Sequence, residues 1–209
     1  MNNSKLKGVV KTISVKKFTD LKLNKVIKLE PSFQRGTDDV SSWNDENKKD
    51  YIHSTLVGSA TNFIHLVNVK EALEYNEGGD PESYEYFKKL DEEGYTYLSI
   101  DGNNRSISLK DFRNNEFKMY QREYPYERGI IEVKKDYATY QTMPSRLREM
   151  FDDEQINLIV YSNVTLKQCS ELFRDVNRGK SLNDQQFRQS YLCDTADFVR
   201  EKRTLHIKS

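Results

Sequence analysis

Apolar positions along the chain recur at two spacings, and the change from one to the other marks the elements. Val9, Val10, Ile13 and Val15 predict a first strand with lysines on its wet side, and Val26 to Leu29 add a short extended piece before Pro31. Trp43, Tyr51, Ile52, Thr55 and Leu56 then follow a helical stripe from about Asn44, with Gly58 where a C-terminal cap falls. Phe63, Ile64, Leu66 and Val67 form an apolar run of the length of a buried strand.

Residues 70–94 are polar, acidic and tyrosine-rich, broken at Gly78-Gly79-Asp80-Pro81 and helical from Glu82 to Leu90. The helix interior lacks a wide apolar face, so the segment reads as an insertion between core elements. Thr96 to Ile100 resumes as a strand that enters a helix ending near Asn114. Gly129 to Val133 and Ile156 to Tyr161 are further strand candidates. Between them, residues 134–153 read as irregular, with one short helix around Arg146 to Met150.

Thr165 and Gln168 have the spacing of a capping box, ahead of Leu166, Cys169, Phe173 and Val176 at helical intervals and Gly179 as the stop. Asn183 with Gln186 opens another helix, whose apolar side includes Phe187, Tyr191, Phe198 and Val199. There is no internal repeat. The pattern predicts an α/β (α+β) architecture: a core over residues 1–163 with a mixed sheet and flanking helices, closed by a C-terminal helical pair over 164–209.

Composition narrows the class. The chain has 209 residues, with 36% hydrophobic and 32% charged, and its 13 Tyr and 10 Phe argue for a folded protein with a modest core. No stretch approaches the roughly 20 apolar residues of a spanning helix, and the lysine-rich start lacks the apolar centre of a signal peptide. With only two cysteines and three scattered histidines, neither a disulfide framework nor a histidine-rich zinc or nuclease centre is indicated. The 33 basic and 33 acidic residues cancel, but unevenly. Met1 to Glu30 carries eight lysines against two acids (net +6), and Glu71 to Glu93 nine acids against two lysines (net −7). Both blocks read as solvated surface or, alternatively, as a DNA or acidic-partner contact and a partner-specific acidic segment.

The densest chemistry sits where the strand at Ile100 ends in Asp101-Gly102-Asn103-Asn104-Arg105. The glycine permits close backbone approach, a helix start presents unpaired N–H groups, and an arginine grips phosphate oxygens as a fork. Asp101 is the candidate metal ligand, ribose contact or positioner of water. Without companions, the same residues describe an Asp-Gly turn and a surface ion pair.

Two further islands accompany this box. Pro31-Ser32-Phe33-Gln34-Arg35, followed by Trp43, resembles a Pro-x-aromatic-Gln-Arg opening. Phe173 to Leu182, with Asn177-Arg178-Gly179 at its turn and Gln186-Phe187-Arg188 beyond, resembles a closing helix and turn. In order and spacing the three islands are similar to the N-terminal domain of GmrSD-type modification-dependent restriction enzymes, in the wider ParB/sulfiredoxin-like superfamily. The resemblance spans about residues 31–190. It implies a domain that binds or hydrolyses a nucleoside triphosphate with Mg2+ in a DNA-targeting system of restriction, defence or phage origin, located in the cytoplasm.

It assigns Asp101 and Arg105 to catalysis, with Asp101 on the metal, and Gln34, Arg35, Gly102, Asn103, Asn104, Asn177 and Arg178 to the nucleotide, as three walls of one pocket. Asn103 and Asn104 stand where relatives carry glutamines, a shorter reach with the same donors and acceptors. The family's downstream nuclease domain does not follow within these residues, so a stand-alone protein or a fragment is expected, with a separate nuclease or effector, DNA and a second copy of the chain as partners.

A Walker A spacing is absent, which argues against a P-loop ATPase. Asp38, Asp39, Asp45 and Asp50 lack calcium-loop spacing and read as surface and helix-start acids. Tyr120, Tyr124, Tyr126, Tyr137 and Tyr140 alternate with basic residues as a base-stacking surface would, but fit better as cover for a modest core. Three readings stay open: a nucleotide hydrolase, a DNA- or partner-binding module, and a ParB-fold DNA nuclease.

Overall fold

The structure is a computed structural model that describes residues 6–23, 26–29, 41–60, 63–134 and 138–177. Its centre is a mixed five-stranded sheet in the order β1-β7-β3-β4-β2. The strands are β1 (Val9–Ser14), β2 (Ile27–Leu29), β3 (Phe63–Asn68), β4 (Tyr97–Asp101) and β7 (Gln155–Tyr161). β7 pairs antiparallel with β1 and parallel with β3, β3 antiparallel with β4, and β4 parallel with β2. A separate hairpin joins β5 (Glu123–Tyr126) to β6 (Gly129–Glu132). The mixed α/β class expected from the apolar pattern is what the chain adopts.

Alternation along the strands builds two cores. Ile64 and Leu66 of β3 and Ile156, Leu158 and Val160 of β7 face one side, while Val67, Leu98, Ile100 and Tyr161 face the other. The first side is covered by α1 (Val15–Leu23), α2 (Asp45–Leu56), α5 (Asn103–Arg113) and α6 (Ser145–Asp153). Phe112 of α5 is fully buried there, edge-on to Phe151 at 5.2 Å between ring centroids. Burial of each such ring contributes about 1.5–3 kcal/mol. The second side is covered by α3 (Val69–Asn76), α4 (Pro81–Glu92) and α7 (Leu166–Val176).

Several local expectations differ from the structure. Val15 opens α1 rather than ending a strand, because Val15, Phe18, Thr19 and Lys22 fall on one helical face and are all buried. The acidic segment is a helical pair whose narrow stripe of Val69, Ala72, Phe87 and Leu90 suffices to cover the sheet. Polar bonds lock it there: Asn76 Nδ2 donates to the Val164 carbonyl at 2.9 Å, and the Leu166 N–H donates to Ser83 Oγ at 2.8 Å. Asp80 caps α4 with Pro81 in its first turn, the arrangement the Gly-Gly-Asp-Pro break hides in sequence.

The capping box at Thr165 and Gln168 is present in full. Of the tyrosines, Tyr124 is fully buried, and burial pushes its phenol up to about 12. The helix expected from Asn183 and the Gly179 stop lie outside the described residues. No helix among the described residues is long and apolar enough to cross a membrane.

Candidate functional site

The box is built by a strand that changes register just before it ends. His65 of β3 pairs with Asp101 and Leu66 with Ser99, so Ile100 is one residue too many on β4. Such a bulge re-aims the side chain that follows. Gly102 then turns the chain at φ +104°, ψ 13°, as the N-terminal cap of α5. A Cβ there would lie 3.0–3.3 Å from Ile64 side-chain atoms, so both the backbone angle and the space call for glycine. Having no side chain, Gly102 leaves the first N–H groups of α5 without a side-chain cap.

Arg105 sits in that first turn, one helical turn after Asp101. Its Nη2 donates to Asp101 Oδ2 at 2.6 Å, and its Nη1 donates to the Phe63 carbonyl at 2.6 Å. The two side chains are 16% and 15% exposed, so the pair is half-sheltered but reachable. A cation at the positive end of a helix dipole is unfavourable by itself, and Asp101 offsets it. The effect is a guanidinium held in a set orientation where an anion would be favoured.

The two asparagines divide. Asn104 is turned toward the segment before α2: its Oδ1 accepts from Ser41 Oγ at 2.9 Å and the Ser42 N–H at 2.9 Å, and its Nδ2 donates to Ser42 Oγ at 3.0 Å. It acts as a clip. Asn103 Oδ1, in contrast, is buried and has no hydrogen-bond partner. An acceptor left that way costs free energy unless something supplies a donor.

Behind Arg105 stands Tyr51 of α2, buried, with its phenol pushed far up by desolvation and partly drawn back by the charge of Arg105. Trp43 packs edge-on against Tyr51 at 5.6 Å between centroids, and its backbone N–H donates to Ser41 Oγ at 3.1 Å. Ser41, Ser42 and Tyr51 carry no sequence signal that marks them as site residues. Nothing local marks the serines, and Tyr51 already fitted the apolar stripe of its helix.

The structure therefore gathers Asp101, Gly102, Asn103, Asn104 and Arg105, with Trp43, at one β4–α5 junction. Asn177 caps the end of α7, where its Nδ2 donates to the Phe173 carbonyl at 2.8 Å, and α7 packs on the face of the sheet opposite α5. Gln34, Arg35 and Arg178 lie outside the described residues. Among the described residues there is no cluster of three or more His, Cys, Asp or Glu side chains able to hold a metal ion.

Compared with known protein families, curated proteins and solved structures, the chain matches none.

Proposed function

We propose that the chain is a nucleoside triphosphate-binding, ParB-like domain of a cytoplasmic DNA-targeting system, with the triphosphate seated at the start of α5. What supports this most is one juxtaposition: the uncapped first turn of α5, Arg105 fixed by Asp101 and the Phe63 carbonyl, and the unpartnered Asn103 Oδ1 beside them. The helix start and Arg105 are suited to phosphate oxygens. Asn103 Oδ1 is suited to a donor on the same ligand, such as a ribose hydroxyl.

Among the described residues the site offers a single carboxylate, Asp101, which is already paired with Arg105. A resident metal cage does not fit that donor set. Magnesium would enter on the triphosphate, where it neutralises phosphate charge. Asp101 orients Arg105, and Arg105 binds the anion. Hydrolysis is the finer part of the proposal, with Asp101 also placing the attacking water.

The test is calorimetric titration with the four common ribonucleoside triphosphates and Mg2+, together with phosphate release. At least one triphosphate is expected to bind, and Arg105→Ala to weaken it about ten- to hundredfold, the value of a charge-assisted hydrogen bond. Failure of all four to bind contradicts the reading. Phosphate release unaffected by Asp101→Asn removes the hydrolytic part.

A second reading has its own observation. Lys7, Lys11, Lys16 and Lys17 lie exposed on β1 and its flanks, and none forms an ion pair with an acid among the described residues. Such a strip suits DNA or an acidic partner, including a separate nuclease. It predicts DNA affinity that falls steeply with salt, and a salt-independent signal would dismiss it.

A further inference from the structure

From the arrangement around Asn104 we infer that Trp43 is the wall of a nucleobase subsite, against which the base of the bound nucleotide stacks. The inference rests on the triphosphate reading and extends it from the phosphates to the base. Its structural basis is a chain of contacts. Arg105 follows Asn104 in the chain, and Asn104 holds Ser41 and Ser42 through both atoms of its amide. Ser41 holds the backbone of Trp43, the indole meets Tyr51, and the Tyr51 phenol lies in the field of Arg105. The phosphate-binding arginine and the indole are thus linked through the Asn104 clip.

The indole is also partly exposed. Trp43 is only partly buried and packs on the margin of the larger core. Its contact with Tyr51 is edge-to-face, at 67° between planes. Whichever ring contributes the edge, that contact leaves at least one face of the indole uncovered. A base finds there a flat, apolar, polarisable surface, and stacking of this kind is worth about tenfold in affinity. Asn104 is then a positioning residue for the base wall, and its role explains why a short amide serves at this place in the box. Ser41 and Ser42 are close enough for an asparagine to reach both.

Trp43 is the single tryptophan of the chain, so its emission reports on this wall alone. Wild type, Trp43→Leu and Trp43→Phe are titrated with the four nucleoside triphosphates and with inorganic tripolyphosphate, all with Mg2+, by calorimetry and, for wild type, by fluorescence. The bound nucleotide is expected to quench Trp43 to saturation, and tripolyphosphate to bind without that quench. Trp43→Leu should weaken the nucleotide about tenfold and leave tripolyphosphate unchanged, and Trp43→Phe should restore most of the loss.

Equal nucleotide affinity in wild type and Trp43→Leu overturns the base wall while leaving the phosphate site standing. So does a Trp43→Leu loss that is the same for tripolyphosphate and nucleotide. If wild type binds neither ligand, the phosphate reading itself fails and the wall falls with it.

Discussion

The two ends of α5 carry one arginine each, and the two are treated differently. Arg113, in the last turn, donates through Nη1 to the Lys16 carbonyl at 3.2 Å, to the Thr19 hydroxyl and to Asp20 at 2.6 Å. It also lies 3.8 Å from Asp152 and over the ring of Tyr140. A cation at a helix C-terminus is where the dipole favours it, and these contacts tie α5 to α1 and α6. Arg105, in the first turn, sits where the dipole disfavours it, and its bonds among the described residues include those to Asp101 and the Phe63 carbonyl. Placement that serves stability and placement that costs it can be told apart within one eleven-residue helix. The costly one is where a ligand is to be sought.

That contrast breaks most sharply at the stabilising end. Arg113→Ala removes the bonds to Lys16, Thr19 and Asp20 that tie α5 to α1 and takes the cation from beside half-buried Asp152, and should cost about 2–3 kcal/mol, roughly 4–12 °C in melting temperature for a domain of this size. Calorimetric unfolding checks it. A drop of a degree or two would mean that the network is decoration.

Next in size is Gly102→Ala at the other end. The left-handed backbone and the Ile64 contact at 3.0 Å should together cost about 1–3 kcal/mol, read from denaturant midpoints. An unchanged midpoint would show that the turn can relax.

The smallest effect sharpens the comparison by moving to α2, whose C-terminal turn carries His53. Burial, then the charge of Arg122, holds this imidazole below its ordinary value of 6.5. The unfolded chain therefore takes up the proton first as pH falls. The His53 contribution to stability is present above about pH 6.5 and is lost as pH drops through the folded value. His53→Gln should flatten the pH dependence of stability in that window, and an identical slope in both proteins would contradict it.

Legibility in the sequence followed the range of the interactions. The Asp101-to-Arg105 spacing, the Thr165 capping box and the alternation in β3 and β7 are local, so they could be read directly. The Ile100 bulge could not, since it exists only against β3. The clip from Asn104 to Ser41 and Ser42 spans more than sixty residues and has no local signature. Spacing in sequence also cannot say which face of the sheet α7 covers. α1 escaped because its stripe has two apolar residues, Val15 and Phe18, with Thr19 and Lys22 completing it.

Binding and stability separate at the two ends of α5. Arg105→Ala, Arg113→Ala and wild type are each unfolded thermally and then titrated below that transition with the nucleoside triphosphate that wild type binds best. Arg105→Ala is expected to lose at least tenfold in affinity while its melting temperature falls less than half as far as that of Arg113→Ala, because Asp101 remains favourable at the helix start. Folded Arg113→Ala is expected to bind like wild type. An Arg105→Ala protein that binds undiminished, or one that unfolds as readily as Arg113→Ala, would overturn this separation.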